Sequence, residues 1–133
     1  MTQLHGRRDW RIMEDMMIDA TPIQYQYPEV NESLLADVVA RIRAVGTPER
    51  IVLFGSRGRG TARPHSDLDL LIIESSDADR YARAPRYLRA LAGVFPQIDI
   101  VVWTPAEVAA WCGVPDAFVT TALREGRILY AQP

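Results

Sequence analysis

Between residues 31 and 131 the chain moves through two hydrophobic rhythms. Leu34, Leu35, Val38, Val39, Ile42 and Val45 recur every three or four positions, an apolar stripe that predicts a helix over 31–45. Asn31 offers the N-cap oxygen, and Gly46 followed by Pro48 closes the end. Three mainly apolar runs of strand length come next: Ile51–Phe54, Leu68–Ile73 and Ile98–Trp103, the last two each carrying one aspartate. A helical stretch near 79–92 separates the last two. Tyr81, Ala84, Leu88 and Leu91 are its expected inward face, and Pro85 either starts its main part or kinks it. Arg80, Arg83, Arg86 and Arg89 run beside that face as a solvated flank. Thr104-Pro105-Ala106-Glu107 reads as a capping box for a helix ending at Gly113. Another helix spans Pro115–Glu125 with Gly126 as its stop, and Arg127–Tyr130 is a last edge strand. Residues 1–28 show no sustained periodicity. They read as a disordered tail, with a short helix over Trp10–Ile18 as the alternative.

Connection lengths convert these elements into a topology. Only about a dozen residues join the first two strands, too few for an ordinary helical crossover, so that pair is antiparallel. The longer, helix-bearing link to the third strand suits a parallel neighbour. A mixed sheet backed by helices follows, an α/β (α+β) domain over residues 29–133. In that arrangement the end of the first strand and the starts of the second and third share one end of the sheet.

That end carries the chemistry. Gly55-Ser56 closes the first strand, and ten residues later Asp67-Leu68-Asp69 opens the second. Asp67 and Asp69 share a face because strand side chains alternate, with Cα atoms about 6.6 Å apart. Asp99 lies in the third strand at the level of Asp69. Like charges about 5 Å apart cost about 3 kcal/mol at an effective dielectric near 20. A divalent cation removes that cost, and carboxylate oxygens suit Mg²⁺, with Mn²⁺ as a substitute. Glycine lets the backbone turn sharply and approach a phosphate, and Ser56 adds a hydroxyl at the start of a short helix through Ala62. Of Arg57 and Arg59, one is expected to touch phosphate and the other to brace the loop. His65 reads as a turn residue, Cys112 as a helix-end hydrophobe, and Trp103 and Trp111 as packing. A metal beside a phosphate pocket implies phosphoryl or nucleotidyl transfer.

Composition narrows the choices. The 15 basic residues are all arginine, so neither a lysine-dependent P-loop nor a Schiff-base mechanism is available. A formal net charge of −2 argues against direct, non-specific nucleic-acid binding. No apolar run reaches membrane-spanning length and no secretory signal is evident, so no membrane partner is expected. With Cys112 as the single cysteine, a reducing cytoplasm is the expected location.

Gly55-Ser56, ten residues, then Asp67-Leu68-Asp69 resembles the signature of the minimal nucleotidyltransferases, the MntA-type antitoxins of the DNA polymerase beta-like nucleotidyltransferase superfamily. Asp99 within Ile-Asp-Ile-Val-Val is similar to the third carboxylate of that family, and Ala122–Tyr130 resembles its usual ending. The resemblance covers roughly residues 30–131. It departs from the family at Gly58, where alanine is usual, and at His65, where an acidic residue is frequent. It implies a nucleotidyltransferase fold, ATP as substrate and Mg²⁺ as cofactor. Asp67 and Asp69 would be metal ligands with Asp99 beside them, readying the attacking hydroxyl. Gly55, Ser56 and Arg59 would hold the nucleotide. It further implies transfer of AMP to a tyrosine of a HEPN ribonuclease, the toxin partner. An antitoxin acting by binding alone, and an enzyme modifying a small molecule such as an aminoglycoside, stay open as alternatives.

Overall fold

The computed structural model describes residues 29–133; the expected tail over 1–28, with its Trp10–Ile18 helix, lies outside the described residues. Helix α1 (Glu32–Val45) begins where the Asn31 side chain accepts the Leu34 N–H at 2.9 Å, and it buries Leu35, Val38 and Ile42. Strand β1 (Arg50–Phe54) runs directly into a short helix, α2 (Gly55–Arg59). β2 (Leu68–Ile73), a 3-10 turn (Arg80–Ala82) and α3 (Pro85–Ala90) follow. The chain ends with β3 (Ile98–Trp103), α4 (Pro105–Trp111), α5 (Phe118–Glu125) and β4 (Arg127–Ala131).

The strands form one sheet in the order β3-β2-β1-β4. β1 is antiparallel to both β2 and β4, and β2 is parallel to β3. The sheet is therefore mixed, as the connection lengths require. Alternation sends Leu68, Leu70 and Ile72 to one face, where they pack with Ile51, Leu53, α1 and Tyr87 of α3. It sends Leu71 and Ile73 to the other, against Val52, Trp103 and the α5 residues Val119 and Ala122. Both faces are covered, which is why β2 is apolar at every position but Asp69.

Several expectations need correction. Of the expected inward face, Leu91 is buried and Ala84 packs against the core, whereas Tyr81 is 92% exposed and Leu88 43% exposed, and the residue α3 buries is Tyr87. Pro85 starts a fresh helix, so the preceding turn and α3 share no single stripe. The arginines are not a uniformly solvated flank. Arg80 and Arg83 both bind Glu107, Arg86 binds Glu74, and Arg89 stays exposed. Finally, α4 stops at Trp111 and α5 starts at Phe118, because Gly113 (φ 104°) and Asp116 (φ 63°) adopt left-handed backbone that no helix contains. Trp111 is 49% exposed and Cys112 is exposed, so neither packs as expected. No helix among the described residues is long and apolar enough to cross a membrane.

Two polar devices fix the helices to the sheet. Glu74, at the far end of β2, is buried and accepts from the Thr47 N–H (2.7 Å), the Tyr87 hydroxyl (2.5 Å) and Arg86. Burial pushes its carboxyl up, but these three donors together outweigh it and hold the group below its ordinary value. Glu107 completes the capping box with Thr104, accepting the Thr104 N–H at 2.8 Å while Thr104 Oγ1 accepts the Glu107 N–H at 3.2 Å. That backbone bond, aided by Arg83 and Arg80, takes the Glu107 carboxyl down from 4.5 to about 2.

Two stability predictions follow from these devices. Thr104→Ala removes a helix cap and lowers unfolding free energy by about 1 kcal/mol in urea titrations at pH 7. Glu107→Gln is destabilised at neutral pH. A depressed folded-state pKa stabilises above the unfolded value, so the gap from wild type is complete above about pH 5. It then shrinks as pH falls from 4.5 towards 2.

Candidate active site

Phe54, the last residue of β1, pairs with Asp69 of β2, and Asp69 pairs with Asp99 of β3. The chain turn after β1 and both aspartates thus lie in one row across three strands. Neighbouring strands are about 4.8 Å apart, which sets the scale of that row. Asp67 immediately precedes β2 and flanks the fully buried Leu68. Asp69 is half-buried, and Asp67 and Asp99 are exposed.

Gly55 is held at φ 65°, and a Cβ built there would collide with the Asp69 carboxylate. Glycine is therefore required twice over, for the left-handed turn and for the close approach of the two strands. Gly58 has a different reason. A Cβ there would lie 2.5 Å from the Leu53 carbonyl oxygen and 3.4 Å from Gly126 Cα. This explains the departure from alanine: α2 sits tight against β1 and the α5–β4 corner. The helix is also shorter than the expected span through Ala62, because Gly60 (φ 74°) ends it in left-handed backbone.

The two arginines divide their roles. Arg57 braces the loop to β2. Its Nε and Nη2 donate to the Ser66 carbonyl at 3.1 and 2.9 Å, and Nη2 also reaches the Pro64 and Arg63 carbonyls. Arg59 stays exposed beside the site, with Nη1 3.6 Å from Glu125 Oε2. Its charge also acts on Asp69. His65 lies in the exposed turn that Arg57 braces.

Burial raises the Asp69 carboxyl above its ordinary value, the charges of Asp99 and Asp67 raise it further, and Arg59 partly offsets them. Asp69 therefore feels both of its neighbours' charges. Among the described residues, however, no group of three or more His, Cys, Asp or Glu side chains is already gathered to hold a metal ion. The expected three-ligand cluster is not preformed, and solvent at Asp67 and Asp99 lets like charges stand apart. The donor set fits a hard divalent cation: oxygen ligands only, with a carboxylate raised by its burial and then by its neighbours' charge.

A groove of about 250 Å³ opens beside this row, between Gly55 and Arg59 on one side and Phe54, Phe118, Thr121 and Glu125 on the other. The Phe54 and Phe118 rings meet edge to face at 5.1 Å. Sequence reasoning missed this wall. Its one available signal was the pairing of Phe118 with Glu125 at the two ends of a single amphipathic helix. A larger cavity of about 340 Å³ lies elsewhere, between α1 and β4.

Residues 33–129 match the family model of the nucleotidyltransferase domain. The chain is similar in structure to a toxin–antitoxin crystal structure with AMP-PNP, at 20% identity and a TM-score of 0.54. It is also similar to a mutant of the toxin–antitoxin pair MntA-HpeT, at 17% identity and a TM-score of 0.50. Each likeness covers 77% of this chain and 75% of the other, and at these identities it is one of fold. No curated protein matches the chain.

Gly55→Ala forces a Cβ into left-handed backbone and into the Asp69 carboxylate. It is expected to cost about 1–2 kcal/mol of unfolding free energy. Chemical shifts of Asp69 and Phe54 should move in the same variant, measured by NMR.

Proposed function

We propose that this chain, which belongs to the nucleotidyltransferase domain family, moves AMP from ATP to a hydroxyl group of a partner protein. The further proposal is that it is the antitoxin of a HEPN–minimal nucleotidyltransferase pair, modifying a tyrosine of its HEPN ribonuclease. One observation carries the transfer reading. The Gly55-Ser56 turn sits at the end of β1 beside Asp69, with Asp99 in register on the next strand. The partner reading is supported by the fold shared with the two toxin–antitoxin structures.

In this reading the Gly55-Ser56 backbone and the Ser56 hydroxyl hold the triphosphate, and Arg59 adds positive charge next to them. Asp67 and Asp69 would hold Mg²⁺, or Mn²⁺ in its place, with Asp99 beside them as the third carboxylate. When bound, the ion supplies the positive charge that a triphosphate among three aspartates otherwise lacks. Asp99 faces the attacking hydroxyl and takes its proton. The hydroxyl oxygen bonds to the α-phosphorus, the bond to the bridging oxygen of pyrophosphate breaks, and pyrophosphate leaves. Positioning and charge neutralisation supply most of the rate. The reducing cytoplasm is the compartment proposed for this reaction.

The test is to incubate the chain with the product of its neighbouring gene, Mg²⁺ and ATP labelled at the α-phosphate. Label is expected on the partner, and Asp67→Ala and Asp69→Ala are each expected to lower labelling by at least about a hundredfold. A partner that binds normally and stays unlabelled contradicts the proposal. Neutralisation of the partner that survives both substitutions would instead mark an antitoxin acting by contact.

A further inference from the structure

Beside the row of carboxylates, the groove walled by α5 shares Gly55 and Arg59 with the proposed triphosphate site. We infer that it is the nucleobase subsite, and that it selects a base bearing an exocyclic amine. This rests on the reading of Gly55-Ser56 as the triphosphate turn. Phe118 supplies the stacking face and Glu125 accepts from the amine.

Size is the first argument. Small-molecule pockets usually span about 300–1,000 Å³. At about 250 Å³ the groove has room for one heteroaromatic ring system, and Gly55, which lines it, leads directly to Ser56 of the proposed triphosphate turn.

The wall chemistry is the second. Phe118 is 40% exposed although two aromatic rings hold it. Phe54 meets it edge to face at 5.1 Å, and Trp103 lies tilted at 6.0 Å. Phe118 lines the groove with 40% of its surface open, which suits a stacking platform, because any base offers it a π face.

Glu125 gives the selectivity. It lines the same groove at the other end of α5, two turns from Phe118, and its side chain is 35% exposed. Its ion pairs are loose: Arg59 at 3.6 Å and Arg124 at 3.5 Å, with arginine side chains 48% and 69% exposed. Such solvated pairs hold a carboxylate weakly. Its oxygens remain acceptors, and a carboxylate accepts but never donates. A base presenting an amine is therefore favoured over one presenting a carbonyl or hydrogen at that edge.

The experiment measures binding of the full chain by calorimetry with Mg²⁺. The probes are inorganic tripolyphosphate and α,β-methylene triphosphates carrying adenine or unsubstituted purine. Adenine is expected to bind about tenfold tighter than purine, and purine about tenfold tighter than tripolyphosphate. Glu125→Ala should close the adenine–purine gap, and Glu125→Gln should restore part of it through the amide oxygen. Phe118→Ala should bring both bases towards tripolyphosphate without changing tripolyphosphate itself. If Glu125→Ala weakens all three probes equally, Glu125 merely holds Arg59 and the inference is overturned. If the bases bind no better than tripolyphosphate, the groove is not a base site, while the triphosphate reading survives. If no probe binds, both fail together.

Discussion

Asp69 is a carboxylate in the middle of a sheet, set between the turn after β1 and a second carboxylate on β3. Burial and two like charges raise it. Such a placement destabilises the fold unless a cation visits the site, so the local energetics and the proposed chemistry share one cause. The remaining features hold that row in position. The mixed sheet brings the turn and both strand starts to one end. Gly55 and Gly58 let α2 lie against it. Arg57 secures the loop that delivers Asp67.

Stability is concentrated away from that end. The apolar residues of β2 between Leu68 and Ile73 are almost wholly buried between two helical layers. Glu74 and Tyr87 tie the opposite end of β2 to α3, and Glu107 ties α4 to the turn before α3. A rigid frame at one end leaves the other end able to carry unbalanced charge, an arrangement that active sites commonly adopt.

Most of this frame was legible in the sequence, because hydrophobic period and connection length are local signals. The three buried strands, the α1 stripe and the Thr104–Glu107 capping box appear where the residues place them. The antiparallel and parallel pairings followed from loop lengths alone. The inward face around α3 was legible at Ala84 and Leu91 but not at Tyr87, which is chosen by a tertiary partner, Glu74, that periodicity cannot see. The roles of Arg80, Arg83 and Arg86 were hidden for the same reason: their carboxylates lie far along the chain. At the site, the juxtaposition of Gly55, Asp69 and Asp99 was readable from register. The groove behind it was not, because Phe118 and Glu125 come from a helix more than fifty residues beyond the Gly-Ser turn.

The account stands on Asp67, Asp69 and Asp99 drawing together around one divalent ion next to the Gly55-Ser56 turn. Paramagnetic broadening by Mn²⁺, followed across the backbone amide resonances of the full chain, reads that claim directly. The prediction is a single focus at residues 55–56, 67–69 and 98–99 that excess Mg²⁺ reverses. Broadening scattered over the surface, or centred on Glu74, Glu107 or another acidic group, contradicts it.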